Sequence, residues 1–355
     1  MTPSGRPVRV LAAAAWRTYR GGRLIATLHG RDEPDSHFPE EWLLSTVQAR
    51  NAGREGIVEG LSLLEDGTAL RDYIAADPAR LLGEGRRETG VLMKLLDAAE
   101  RLSVQVHPTR EDARRLFGSP YGKTECWHIL GGREIDGEKP CIWFGFREGV
   151  TRAQWAELFY RQDIPGMLAC LHKIEARPGD TWLIAGGTPH AIGPGCFLAE
   201  IQEPTDLTLR TERTDAAGRP LPDESCHQGI GFERMLDCFA YDGGTEAEIA
   251  AKWRIAPRVA AETTEYTRSV LLGADRTPYF SLEKWTVRGT MRPAALPQFC
   301  GLYVLSGTGT LGCGEHRDAL CPGAQFFVPA NADPFALTAD GGTLTLLSWR
   351  GPADN

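Results

Sequence analysis

The sequence predicts a mainly β protein built as two copies of a β-barrel, with a few helices inserted among the strands. Two observations lead there. Gly and Pro are frequent, 40 and 23 in 355 residues, and they fall between short apolar segments, the punctuation of turns between strands. The chain also repeats itself. Residues 178–190 read PGDTWLIAGGTPH and residues 322–334 read PGAQFFVPANADP. Each has a Pro-Gly turn, an apolar strand and a small-residue turn at the same offset. The first copy ends in His190 and the second in Pro334, so the expectation is a duplicated barrel in which only the first copy keeps a ligand. The chain is long enough for about two domains. The division expected is a metal-binding domain with helical insertions over 1–240 and a degenerate copy without metal ligands over 260–355.

Apolar runs at 91–96, 102–107, 124–130, 141–146, 181–185, 197–202 and 207–211 predict the strands of the first copy. Those at 279–288, 299–306, 309–312, 324–328 and 343–349 predict the strands of the second. Residues 110–117 are charged and periodic after Pro108, and 151–161 open on a capping Thr151 and set Trp155, Leu158 and Phe159 on one side. Both are predicted helices, as are 166–174 and 245–253. The stretch 232–265 is less regular, and the domain boundary is expected near 235–265.

Composition bounds the function. With 42% hydrophobic and 24% charged residues the chain has the balance of a soluble globular protein. A net charge of −8 argues against nucleic acid as the main partner, because phosphate backbones select basic surfaces. There is no P-loop and no GxGxxG, so no nucleotide is expected. The cysteines number nine, an odd count without CxxC spacing, which fits reduced thiols in a cytoplasm. Val10 to Trp16 (VLAAAAW) follows Arg6 and Arg9 like a signal peptide, but the apolar run is short and Arg17 interrupts it. No run approaches the roughly 18 apolar residues of a membrane helix. The expected partner is a small molecule, and the expected state a cytoplasmic monomer or weak homodimer.

Three segments carry chemistry. In LSVQVHP (102–108) Ser103, Gln105 and His107 share one strand face. In GKTECWHIL (122–130) Lys123, Glu125 and Trp127 share a face, with Cys126 and His128 on the other. A Glu among apolar residues needs a metal or a cation as partner; His128, opposite it, is read as a core or supporting histidine. In PGDTWLIAGGTPH, His190 follows a Gly-Gly turn and a Pro that stiffen its approach. Gln105, His107, Glu125 and His190 make a mixed nitrogen and oxygen ligand set that suits zinc and tolerates manganese, cobalt or iron.

These residues carry a resemblance. Gly179, Gly187 and His190 fit the second cupin motif, with Ala185 where Pro is usual. LLDAAERLSVQVHP (95–108), GKTECWHIL, PGDTWLIAGGTPHAIG (178–193) and LAEIQEPTDLTLR (198–210) resemble class I mannose-6-phosphate isomerases of the cupin superfamily. PYFSLEKW (278–285) and the segment 322–331 resemble that family's degenerate second cupin. The resemblance implies double-stranded β-helix barrels and a metal held by Gln105, His107, Glu125 and His190. It also implies an active-site Glu and Arg at Glu200 and Arg210, and interconversion of mannose 6-phosphate and fructose 6-phosphate. The sequence departs from the family at TYRGG (18–22), in the Gly-Gly-Thr-Pro turn and in a short 108–122 segment, which leaves another aldose open.

Isomerisation through a cis-enediol needs a proton moved between C2 and C1. Glu200 is the expected base, Arg210 the stabiliser of enediolate charge, and Lys123 a competitor for the base role. Arg110 and Lys123, with the Ser103 hydroxyl, are the expected phosphate ligands. A cupin metal oxygenase and a sugar-binding sensor are the rival readings. The Gln in a fourth ligand position and the Lys123–Glu125 pair disfavour the first, and the presence of Glu200 and Arg210 disfavours the second.

Overall fold

In LMKLLD (92–97), side chains alternate between two faces, as in any strand: Leu92, Lys94 and Leu96 on one, Met93 and Leu95 on the other. This alternation decides how the molecule stacks. The computed structural model describes residues 5–51, 53–54 and 56–353. In the first half, a seven-stranded antiparallel sheet runs in the order Arg254–Ile255, Thr181–Ile184, Glu125–Gly132, Cys196–Gln202, Leu92–Asp97, Glu40–Leu43 and Ala13–Ala15. A five-stranded sheet, Leu209–Arg210, Gln105–Val106, His190–Ile192, Cys141–Phe146 and Leu171–Glu175, faces it. The second half repeats the plan. Its large sheet is Val8–Val10, Gln325–Val328, Cys300–Ser306, Leu344–Arg350, Ser281–Val287, Tyr266–Leu272 and Arg258–Glu262. Its small sheet is Thr290–Met291, Phe335–Ala339, Gly309–Cys313 and His316–Leu320.

Each half has its own core between its sheets: Leu96, Trp127, Trp182 and Leu198 against Phe144 and Ile192 in the first, Leu302, Phe326 and Leu346 against Leu311 and Leu337 in the second. The opposite faces of the two large sheets pack on each other, bringing Met93, Leu95, Cys126 and Ile201 against Leu282, Phe327, Leu347 and Trp349. Helices Arg152–Arg161, Ile164–Ala169 and Phe232–Asp237 cover the outside of the first small sheet with Trp155, Phe159, Met167 and Met235. No helix among the described residues is long and apolar enough to cross a membrane.

Several elements differ from expectation for local reasons. The predicted helix over 166–174 is a shorter one capped by Asp163, followed by strand Leu171–Glu175. The ladder with Cys141–Phe146 claims the second part. Of the strand predicted over 102–107 only Gln105–Val106 is laddered, and of 207–211 only Leu209–Arg210. Within 232–265, helix Glu246–Trp253 starts from a capping box between Thr245 and Glu248 and leads into two strands. The expected division between domains is crossed by Val8–Val10, which pairs with a second-half strand, while Arg254–Ile255, in the expected boundary stretch, pairs with a first-half one.

Leu347 is fully buried in the interface between the large sheets. Leu347→Ala should cost about 2–5 kcal/mol of unfolding free energy in urea titration; a loss under about 1 kcal/mol would mean that the interface collapses around the cavity.

Candidate metal and active site

The site lies at one end of the first half, where three strands begin or end. Glu125 is the first residue of its strand, Gln105 pairs with both His190 and Arg210, and His107 follows two residues later. The Gly-Gly turn makes this convergence possible. Gly187 has φ 89° and its N–H donates to the His107 carbonyl at 2.8 Å, and a Cβ on Gly186 would stand 2.7 Å from the Thr109 backbone. Glycine lets the His190 loop lie directly on the His107 segment.

His107, Glu125 and His190 are buried, with ligand atoms within 4.8 Å of one another. His107 Nδ1 donates to the Leu207 carbonyl and His190 Nδ1 to that of Thr188, both at 2.9 Å. Carbonyls only accept, so both rings carry their proton on Nδ1 and turn a bare Nε2 inward. His107 Nε2 is 3.1 Å from Glu125 Oε1 and His190 Nε2 is 3.9 Å from Oε2. Burial and then the neighbouring His107 hold His190 down to about 3, and burial and Lys123 lower His107, so both rings are neutral at neutral pH. Burial opposes ionisation of Glu125, but the Lys123 ammonium outweighs it and keeps the carboxyl well below the usual carboxylate range. Glu125 Oε2 is buried without a hydrogen-bond donor. The Gln105 amide nitrogen donates to His190 Nε2 at 3.2 Å, and a half-turn of that amide would offer its oxygen at the same point. Two bare imidazole nitrogens and an orphaned carboxylate oxygen are what a divalent cation satisfies.

Beside this set lies a chain of buried charges. Lys123 Nζ is 3.0 Å from Glu125 Oε1 and donates to Thr208 Oγ1 at 3.2 Å. Glu200 accepts from Trp127 Nε1 at 3.0 Å, and Lys94 Nζ lies 2.8 Å from its other oxygen, an ion pair not aligned as a hydrogen bond. Burial, then the charge of Glu125, push Glu200 up to about 7 against the pull of Lys94 and Lys123. Behind Lys94, Glu40 accepts from Tyr19 Oη at 2.6 Å and Trp42 Nε1 at 2.8 Å and pairs with Arg17 Nε at 3.0 Å. Arg17 Nη1 lies 3.9 Å from Asp206. Arg210 differs from the other cations. Its Nη1 donates to the Ser225 carbonyl at 3.0 Å, and among the described residues it makes no ion pair.

Ser103 is half-buried just before the Gln105 strand. Arg110 is already partnered. Its charge is met by the fully buried Glu203 at 2.5 Å, and its guanidinium lies 3.7 Å from the ring centre of Tyr279, from the second half. His128 faces away from Glu125 and contacts Thr181 Oγ1. Sequence reasoning missed Arg17, Glu40, Lys94 and Asp206. A Lys inside LMKLLD and a Glu pair inside PEEWLL carry the same signal that singled out Glu125, a charge in an apolar strand.

Residues 274–346 match the family description "Mannose-6-phosphate isomerase, cupin domain". The mannose-6-phosphate isomerase of Streptococcus mutans is 27% identical over 318 residues, covering 87% of this chain and 88% of that protein. That of Bacillus subtilis is 26% identical over 327 residues, covering 89% and 91%. Among solved structures, mannose 6-phosphate isomerase from Bacillus subtilis superposes with a TM-score of 0.74 at 24% identity, covering 97% of this chain and 99% of that one. A mannose 6-phosphate isomerase bound with zinc and yttrium gives 0.68 at 16% identity, covering 98% and 100%.

His107→Ala and His190→Ala should each abolish retention of a divalent ion after dialysis, measured by elemental analysis with folding checked by circular dichroism. Lys123→Met should keep the ion, since its amine, if displaced, frees Glu125 Oε1 for the metal.

Proposed function

We propose that this chain, a cupin-superfamily relative of the class I mannose-6-phosphate isomerases, interconverts mannose 6-phosphate and fructose 6-phosphate and holds one divalent metal to do so. The observation that carries the reading is an ion-ready set, His107, Glu125 and His190, beside a buried carboxyl held near neutrality, Glu200. His107, Glu125, His190 and the oxygen of Gln105 would hold the ion, and imidazole with carboxylate favours zinc, with manganese, cobalt or iron tolerated. Bound there, it supplies a Lewis acid for the substrate's carbonyl oxygen.

Glu200 is the proton shuttle. At neutral pH it is partly ionised, so it can take the C2 proton and return it to C1 without a large penalty in either direction. Lys94 and Trp127 fix its orientation. Arg210, the cation without a carboxylate, offsets charge on the enediolate. Lys123 stays beside Glu125, where it meets the reacting oxygens, and with the Ser103 hydroxyl contributes to phosphate binding. Arg110, paired with Glu203 and stacked on Tyr279, takes a smaller share of that task, shaping the wall from which phosphate is held.

Charge balance supports a phosphorylated substrate. Arg17, Lys94, Lys123 and Arg210 face Glu40, Glu125, Glu200 and Asp206, and these cancel when Glu200 is ionised. A divalent ion then leaves two positive charges, which a phosphate dianion neutralises. The nine cysteines are free, eight of them buried, in keeping with a reducing cytoplasm.

In a coupled assay with mannose 6-phosphate, Glu200→Gln should lower kcat by about 10²–10⁴-fold with metal content unchanged. No turnover by a metal-loaded wild type would redirect the assignment to another aldose.

The pH profile provides a separate check. Glu200 acts as base when ionised, so kcat/KM should fall as pH drops through a midpoint at or below about 7, the bound cation pulling it downward only. Glu200→Gln should remove this acid limb from its residual activity; a limb that persists would place the base elsewhere.

A further inference from the structure

The ladders that position the active-site residues have register-matched counterparts in the second half. Glu200 lies between Lys94 and Trp127 on its neighbouring strands; Ser348 lies between Glu283 and Leu302. Glu125, opposite Ile184 and two residues before Trp127, corresponds to Cys300, opposite Val328 and two residues before Leu302. Glu40, opposite Leu96, corresponds to Arg268, opposite Trp285. Gln202 corresponds to Arg350. The Glu40–Lys94 pairing is thus kept with its charges exchanged, as Arg268–Glu283, and the carboxylate of the metal set has become a thiol.

Two of these counterparts, Arg268 and Cys300, border a void. Arg268, Trp285 and Cys300 line a cavity of about 40 Å³, bordered by residues 293–296 and Phe335. A single water needs about 10–15 Å³ on this measure, so the cavity has room for one small polyatomic group and not for a sugar. Glu283 accepts from Arg268 Nε at 3.0 Å and Nη2 at 2.8 Å, from Arg350 Nη2 at 3.0 Å and from Trp285 Nε1 at 2.7 Å. One carboxylate between two guanidinium groups leaves one positive charge, and Glu283 uses neither Nη1. Ser348 adds a buried hydroxyl beside Cys300, whose thiol burial pushes up to about 12, so it adds no negative charge. A guanidinium and an aromatic ring on the wall of a small void, with a second guanidinium and a hydroxyl behind Glu283 and Cys300, have the chemistry of an oxyanion site.

We propose that the second half keeps a binding pocket at the position of the active site, converted from a metal site to one for a small oxyanion, a carboxylate or phosphate group, gripped by Arg268 at the cavity wall, with Arg350 leaving the excess positive charge through the Glu283 they share. The pocket holds no base where Glu200 stands in the first half, so it binds without turnover. A carboxylate matches the planar fork and the single excess charge; a phosphate would enter as its monoanion.

The test is hydrogen–deuterium exchange with mass spectrometry on the full metal-loaded chain, with acetate and inorganic phosphate added separately. Slower exchange in peptides covering 281–287, 300–306 and 344–350 is the expected result, from one probe or both. Which probe protects identifies the anion geometry. Arg268→Lys, which keeps the charge and loses the fork, should weaken half-saturation by about tenfold while isomerase turnover without added anion is unaltered. Arg350→Gln should weaken it as well and guards against a folding artefact in either variant. The inference is overturned if neither probe protects these strands, if protection survives both substitutions, or if it is confined to 92–97 and 125–132, where the anion would occupy the active site alone. Because the readout is local exchange, its outcome does not depend on the isomerase assignment.

Discussion

Glu125 is a carboxylate with almost no solvent, held ionised against its burial by Lys123. Lys123 sits against one oxygen, two imidazoles turn bare nitrogens toward it, and its second oxygen has no donor. A buried anion so incompletely matched is costly unless a cation completes it. The neutrality of the two rings is part of the same constraint, because a charged imidazole would compete with the ion for Glu125. Burial keeps the rings neutral, and their Nδ1 contacts to the Leu207 and Thr188 carbonyls fix tautomer and orientation, which is why the loops carrying those carbonyls belong to the site.

The consequences reach Glu200. Its ionisation is opposed by burial and by Glu125, and favoured by Lys94 and Lys123. Arg17 and Tyr19 hold Glu40 ionised next to Lys94, so Lys94 is shared between two carboxylates instead of committed to Glu200 alone. A fully committed lysine would pull Glu200 toward an ordinary carboxylate; none at all would leave it protonated. The N-terminal segment therefore bears on Glu200 through two intervening side chains.

Much of this was legible in the sequence because strands write their faces in alternate residues. Gln-x-His and Lys-x-Glu placed four polar groups on interior faces, and the Pro-Gly repeat exposed the duplication. Less legible were features that depend on partners far along the chain. Arg110 reads as a free cation beside His107; only the fold reveals Glu203 and Tyr279 around it. The strand Val8–Val10 looks local but completes a sheet more than 300 residues away. Short ladders such as Gln105–Val106 are set by neighbouring strands and leave little periodicity of their own. Lys94 and Glu40 were visible as charges in apolar runs, but without the register between their strands nothing tied them to Glu200.

That register also joins catalysis to assembly. In 92–97, Lys94 points toward Glu200 while Met93 and Leu95 pack against the second half; in 125–132, Glu125 points inward while Cys126 enters the same interface. A one-residue slip would bury the lysine between the halves and turn an apolar residue into the site. The interface thus does more than add buried area: by fixing one face of these strands it fixes which residues the other face presents. The same rule operates in the second half, where Leu282 and Leu347 hold the interface while Glu283 and Ser348 turn inward. Duplication supplied two interiors with equivalent positions, and because the outward faces pack the halves together, the inward positions of the second copy were free to exchange a metal carboxylate for a thiol and a lysine for a glutamate without disturbing the first.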